Sequence, residues 1–210
     1  MKDVRRSMLM LIAAAFVMPA AVARGEGISN EDRAKLKEYL VSTRDQVLRE
    51  ASSLTDAQWS YKPGADRWSV GEVVEHLALT EPFLFELHEK TLKLPAAPPD
   101  KREATKGKDE VIRAKIPDRT NKATAPEPLK PAGSLGDRTK VLAAFRERRA
   151  KTLDYVDTVS ADLRAHVSEQ SPLGPVDAYQ WLLYIAAHTE RHLGQIREVK
   201  AAQGFPKASN

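Results

Sequence analysis

The stretch WLLYIAAHTERHL, residues 181–193, places two histidines directly after a strongly apolar run. His188 and His192 are four residues apart, and at about 100° of rotation per residue both imidazoles lie on one face of an α-helix. A third histidine, His76, lies in GEVVEHL, residues 71–77, on a second amphipathic segment that can pack against the first. The pattern predicts a helical protein in which three imidazoles meet at one point.

Three convergent neutral imidazoles leave one or two coordination positions open on a transition metal, as catalytic metal sites do and closed structural sites do not. A structural alternative remains for each residue. His188 could be a core histidine that is hydrogen-bonded to a neighbour, and His76 taken alone fits a core or boundary position. Two buried histidines on one face would each need polar partners, which favours the interpretation as ligands.

Two blocks of sequence carry a resemblance to a known family: RWSVGEVVEHLA, residues 67–78, and GPVDAYQWLLYIAAHTERHLGQI, residues 174–196. In their order and in the placement of the three histidines they resemble the DinB-like superfamily of four-helix-bundle metalloproteins. The resemblance covers about residues 32–202 apart from a middle insert. It implies that His76, His188 and His192 are the ligands of a divalent transition metal, zinc or nickel first, with iron or copper as alternatives.

Hydrophobic periodicity also predicts an all-α four-helix bundle, because four apolar stripes recur at helical spacing and no strands or repeats stand out. Ser69 and Glu72 form a capping-box pattern before the second helix, and Pro175 suits the first position of the last one. Residues 57–68 are expected to be a loop. We expect the four helices at about residues 29–53, 69–92, 137–159 and 175–202.

Residues 95–136 contain seven prolines, too many for a continuous helix. We interpret them as a long, extended, Pro-rich insert between the second and third helices, ordered only in part. The insert could be a lid over the site or a polar tether. Its basic residues could attract an anionic substrate, and a solvated surface explains them equally well.

Residues 1–23 have the features of a signal peptide: a basic start, a short apolar run from Met8 to Ala20 and a small-residue cleavage site at residues 21–23. We expect an exported, periplasmic or extracellular protein that comprises one domain, residues 24–210, with no stable membrane insertion. A retained N-terminal anchor is the alternative. The chain has no cysteine, so any metal must be held by nitrogen and oxygen.

The charge balance argues against a nucleic-acid partner. Without residues 1–23 the chain carries 30 basic and 28 acidic side chains, a net charge of +2. A dedicated nucleic-acid binder would show a concentrated basic face. A homodimer through a spare apolar face stays open.

Three other polar residues are candidates for a place beside the metal. Tyr184 and Gln195 share the face of His188, and Glu72 could orient His76 from one turn away, although each also has an ordinary structural role. Glu190 is not the glutamate of a zinc-protease motif, because it is rotated by about 200° from His188. His88 and His166 are expected to be solvent-exposed.

A metal with an open position can activate a water or a thiol. The resembled family includes thiol-dependent transferases and a thiol-dependent isomerase. We therefore expect a metal-dependent hydrolase or thiol transferase that acts on a small-molecule substrate, although export weakens the thiol interpretation because such thiols are mainly cytoplasmic. The alternatives are a non-catalytic metal-binding or ligand-binding bundle and a vestigial, empty site.

Overall fold

The computed structural model describes residues 27–121 and 123–207, so the predicted signal peptide lies outside the described residues. Four long helices form a bundle, as predicted: α1 (Asn30–Ala51), α3 (Val70–Leu92), α6 (Arg138–Thr158) and α7 (Ala178–Lys200). The connections contain α2 (Asp56–Ser60), α4 (Pro99–Glu103), α5 (Lys108–Lys115), a 3-10 turn (Glu127–Leu129) and the antiparallel strands β1 (Val167–Ser168) and β2 (Val176–Asp177). None of the described helices is long and apolar enough to cross a membrane.

Side-chain caps fix where the two site-bearing helices begin. The Ser69 hydroxyl accepts a hydrogen bond from the Glu72 amide, and the Glu72 carboxylate accepts one from the Ser69 amide. These two bonds confirm the predicted capping box of α3. Asp177 and Gln180 form the same reciprocal pair at the start of α7. The prediction that α7 starts at Pro175 is therefore wrong: its first turn is set by the later capping box.

The helices run up, down, down and up. α1 and α7 are parallel, because Tyr179 Oη donates to the Asp32 carbonyl near their first turns and Lys200 pairs with Glu50 near their last. α6 runs against α1, since Arg138 in its first turn donates to the carbonyl of Leu54, which follows α1.

α3 runs parallel to α6 and antiparallel to α7. Thr152 Oγ1 of α6 donates to Glu81 of α3, and one turn later Tyr155 hydrogen-bonds to His88. His88 at the far end of α3 contacts the carbonyl of Ala178, the first residue of α7. Because α3 and α6 point the same way, the chain between them must return along the bundle, a distance of about 35 Å for a helix of this length.

The insert that makes this return is folded, which corrects the expectation of an extended segment ordered only in part. Its prolines cluster before residue 100 and after residue 116, and the proline-free stretch between them forms α5 after Gly107, which takes a left-handed φ of 72°. Ile112 of α5 is fully buried against α7. The burial of apolar side chains such as Ile112 therefore offsets the conformational entropy that this polar segment loses when it is ordered.

Two further local predictions were wrong. The expected loop at residues 57–68 begins within α2, whose N-cap Thr55 forms a capping box with Gln58. The pair β1–β2 was not expected, because a two-residue strand carries no periodicity that a sequence could reveal.

His88 is buried, which corrects the expectation that it is solvent-exposed. Its Nδ1 donates to the Ala178 carbonyl at 2.7 Å and its Nε2 accepts from Tyr155 Oη at 2.8 Å. His88 therefore has the satisfied core environment that was the alternative for the other histidines. His166 is half-buried, with Nδ1 at 2.6 Å from the Leu94 carbonyl.

Candidate metal centre

The three predicted ligand histidines come together where the start of α3 meets the second half of α7. His76 lies two turns into α3, and His188 and His192 lie one turn apart on α7. Because the two helices are antiparallel, residues near the start of one face residues near the end of the other. The four-residue spacing places His188 and His192 on one face of α7, and the packing of α3 on α7 brings the predicted third histidine, His76, beside them.

The imidazole nitrogens converge closely enough to share one ion. Each of the three side chains offers a nitrogen, and these three nitrogens lie within 4.8 Å of one another. His188 Nε2 and His192 Nε2 are 3.1 Å apart. Zinc–nitrogen bonds of about 2.0–2.1 Å at a tetrahedral angle would separate two ligand nitrogens by about 3.3 Å. The α7 pair is therefore close to the geometry that a tetrahedral metal requires.

Hydrogen bonds on the outer nitrogens orient two of the rings. The Nδ1 of His76 donates to the Leu129 carbonyl at 2.7 Å, because a carbonyl can only accept. Gln195 Oε1 lies 2.8 Å from the Nδ1 of His192. Both bonds place a proton on Nδ1 and leave the Nε2 lone pair free, which is how partners behind a histidine ligand fix its tautomer.

Burial keeps the rings neutral. His76 is 3% exposed and His192 is 7% exposed, and His188 is half-buried. Removal from water lowers the pKa of His188 to about 3, with a further contribution from the neighbouring His76. The same desolvation lowers the pKa of His76 and, reinforced by the other two rings, holds the pKa of His192 well below its usual value. Neutral imidazole is the form that binds a metal.

An indole ring closes one side of the centre. Trp68, which precedes the α3 cap, has its ring centroid 4.9 Å from that of His76 and stacks on His192 at 6.2 Å with an interplanar angle of 21°. An apolar wall of this kind limits the access of solvent to the ligands and lowers the local dielectric.

The residues present fit a transition metal. Three nitrogen donors meet without a fourth histidine, cysteine or carboxylate in the group, as far as the described residues show. Imidazole ligands suit zinc, nickel, iron and copper, and a three-ligand set leaves a coordination position for a small molecule. A closed structural site would need a fourth protein ligand.

Of the three residues predicted to lie beside the metal, Gln195 is the one that contacts a histidine of the group. Gln195 contacts His192 directly. Glu72 faces away from His76, because its carboxylate is used by the Ser69 amide and by Lys62. Tyr184 is half-buried and packs on Trp181 at 5.8 Å between ring centroids, and burial raises the pKa of its hydroxyl.

Two contacts between the site region and the insert were not predicted from the sequence. The Leu129 carbonyl belongs to the insert, and no sequence pattern indicates which backbone oxygen will meet a histidine 53 residues earlier. Glu75, directly before His76, binds the same part of the insert. Glu190 faces away from the centre as expected, since it accepts a hydrogen bond from Tyr39.

A cavity of about 490 Å³ lies away from the histidines, between α1 and α5. It is lined by charged and polar side chains that include Asp32, Lys35, Glu38 and Arg113. Four acidic and two basic side chains line it, so its lining carries an excess of negative charge. It contributes no residue to the three-histidine group.

Taken together, the up-down-down-up bundle and the three convergent imidazoles define a helical protein with a three-histidine group that could hold a metal. The chain belongs to the DinB superfamily, whose family model matches residues 33–196. This confirms the family that the two sequence blocks indicate.

Two relatives from Bacillus subtilis extend the comparison. The uncharacterized protein YuaE of strain 168 is 26% identical over 157 residues, which is 75% of this chain and 92% of YuaE. The structure of YfiT, described as a probable metal-dependent hydrolase with an unusual four-helix bundle topology, is similar with a TM-score of 0.55 and 19% identity, covering 86% of this chain and 93% of YfiT. At that identity the likeness supports the fold.

Proposed function

We propose that this chain is a metal-dependent hydrolase that acts on a small molecule, with His76, His188 and His192 holding one divalent transition metal. The observation that carries the proposal is the convergence of three neutral imidazoles, two buried and one half-buried, whose ligand nitrogens lie within 4.8 Å of one another. The description of YfiT as a probable metal-dependent hydrolase supports the same reaction class for a protein of this fold.

A divalent metal with an open position lowers the pKa of a bound water to near neutrality and so supplies a nucleophile for hydrolysis. The chain's own residues prepare the centre for it. The outer hydrogen bonds of His76 and His192 direct their Nε2 lone pairs inward, and Trp68 covers the rings on one side. Since three imidazoles bring no negative charge, the metal would keep its full positive charge and polarise an electrophilic substrate strongly.

Elemental analysis of the protein, purified without chelators, tests the metal. We expect one equivalent of zinc or nickel, with iron or copper as other outcomes of the same measurement, and less than a tenth of an equivalent in His188→Ala. The matched control is His166→Ala, which removes a histidine outside the centre. Stoichiometric metal in His188→Ala would contradict the proposal.

Turnover separates the hydrolase from its alternatives. We expect the loaded protein to hydrolyse members of a panel of small esters, amides and lactones without added thiol, and His188→Ala to be inactive. Turnover of electrophiles only in the presence of a low-molecular-weight thiol would instead establish a transferase. Full metal loading with neither activity would indicate a binding protein.

We also propose that the chain is exported after removal of residues 1–23, because this segment combines a basic start, an apolar run and a small-residue cleavage site. Fractionation and N-terminal sequencing test this directly. A mature chain that begins near Arg24 outside the cytoplasm is expected, and a full-length cytoplasmic chain would contradict export.

A further inference from the structure

The insert is fastened to α7 on one side of the metal centre. The Arg191 guanidinium, next to His192 in sequence, donates to the carbonyls of Asp118 and Asn121. Arg119 of the insert forms a two-pronged ion pair with Glu198 of α7, at 2.7 and 2.8 Å. Residues 118–121 are thereby held along the outer face of α7.

On the other side the insert is fastened to α3 by Glu75. This carboxylate is only 4% exposed, and it accepts three hydrogen bonds: Gly133 N at 3.0 Å, Ser134 Oγ at 3.1 Å and Leu135 N at 3.2 Å. Gly133 has a left-handed φ of 71°, and in this turn the amides of Gly133 and Leu135 and the hydroxyl of Ser134 all point toward one carboxylate. A buried charge with three donors is satisfied by the insert alone among the described residues.

Between these attachments the insert reaches the metal centre itself. The Leu129 carbonyl, at the end of the 3-10 turn, accepts the Nδ1 proton of His76 at 2.7 Å. Consecutive residues of α3, Glu75 and His76, therefore hold one short segment, residues 129–135. If the Glu75 end is released, the hydrogen bond to His76 is the one that still joins this segment to α3 among the described residues.

We propose that Glu75 is a positioning residue for the metal centre: by holding residues 133–135 it keeps the Leu129 carbonyl against His76, so that docking of the insert and binding of the metal favour each other. The carbonyl selects the tautomer of His76 that presents Nε2 to the ion, and partners of this kind raise the metal affinity of a histidine ligand. Linkage makes the effect reciprocal, so bound metal must stabilise the docked insert. The inference rests on the proposed metal centre, and it does not depend on the reaction.

Glu75→Gln tests the proposal, because it keeps the shape of the side chain and removes its charge and one acceptor oxygen. The matched control is Glu86→Gln, which changes an exposed acid on the same helix that pairs with Lys90. We expect zinc affinity, measured by competition with a chromophoric chelator, to fall by about 10- to 100-fold in Glu75→Gln. Glu86→Gln should match the unmodified protein.

Two readouts separate positioning from a purely structural role. In metal-free protein, ¹⁵N NMR should show the His76 ring protonated on Nδ1, and a mixture of tautomers in Glu75→Gln. Hydrogen exchange at residues 129–135 should slow when zinc is added, and Glu75→Gln should lose most of that protection. Should Glu75→Gln fold poorly, Ser134→Ala is the substitute test, because it removes one of the three donors and leaves the buried acid in place. We expect it to lower the zinc affinity in the same direction and by a smaller factor.

Equal zinc affinity and an unchanged His76 tautomer in folded Glu75→Gln would overturn the inference while leaving the metal centre intact. Failure of the unmodified protein to bind zinc, nickel, iron or copper would overturn the proposed function and the inference with it. A protein that binds metal and shows the linkage but hydrolyses nothing would leave the inference standing and refute only the hydrolase.

Discussion

Arg149 Nε donates to Glu81 Oε1 over 2.8 Å at the centre of the bundle, where the two side chains are 0% and 3% exposed. The same guanidinium reaches the Leu40 carbonyl and Thr43 of α1 and Thr189 of α7. One residue of α6 therefore bonds to all three other long helices. Apolar clusters lie on both sides of this polar layer, and Thr189 directly follows His188, one of the three proposed metal ligands.

We predict that removing one partner of this ion pair lowers the stability strongly, whereas replacing both partners with apolar residues does not. Arg149→Met leaves a buried carboxylate without its counter-ion and should lower the free energy of unfolding by about 3–5 kcal/mol. The double variant with Glu81→Leu should recover most of that loss, because no charge then remains uncompensated. Urea denaturation of the single and double variants measures both values. A double variant as unstable as Arg149→Met would contradict the argument.

His88→Ala should separate the core histidine from the ligand histidines. The change leaves a cavity and removes the partner of the Ala178 carbonyl and the Tyr155 hydroxyl, so we expect a loss of about 2–4 kcal/mol in stability. Metal content, measured by elemental analysis on the folded protein, should stay at the level of the unmodified chain. Loss of metal from a folded His88→Ala protein would show that the ligand set has been assigned wrongly.

Gln195 should raise the metal affinity by orienting His192, without being a ligand itself. Gln195→Ala removes the acceptor behind His192, and we expect metal affinity to fall by about 10-fold or more. Gln195→Glu keeps an acceptor at that position and should bind metal at least as tightly as the unmodified protein. Gln46→Ala, which removes a half-buried glutamine on α1 that contacts Ser42 and Arg197 and none of the three histidines, is the control. Chelator competition gives the affinities, and identical values for Gln195→Ala and Gln46→Ala would refute the orienting role.

The metal-free protein should lose stability on acidification. Burial lowers the pKa of His188 from 6.5 to about 3. Below pH 6.5 this histidine is therefore protonated in the unfolded chain and still neutral in the folded chain. This contribution to stability is fully present above pH 6.5 and is lost as the pH falls toward 3. Urea midpoints at pH 7 and pH 5 should therefore differ more in the unmodified protein than in His188→Gln. An equal difference in the two proteins would contradict the burial argument.

The sequence by itself determined the four long helices and the α7 half of the site. Helical periodicity and caps such as Ser69–Glu72 depend on residues a few positions apart, so they can be recognised without knowing the fold. The four-residue spacing of His188 and His192 is local in the same sense. At the start of α7 two local signals compete, and the Asp177–Gln180 capping box decides where the helix begins rather than Pro175.

Only the tertiary structure decided what joins these elements. Antiparallel packing of α3 on α7 brings His76 to the centre and turns His88 into the core, and the folded insert delivers the Leu129 carbonyl and the donors to Glu75. Each of these contacts joins residues more than 50 positions apart. These contacts are stabilised by the burial of apolar surface, which occurs only when the helices pack together. The sequence around each residue therefore does not reveal which distant residue it will contact.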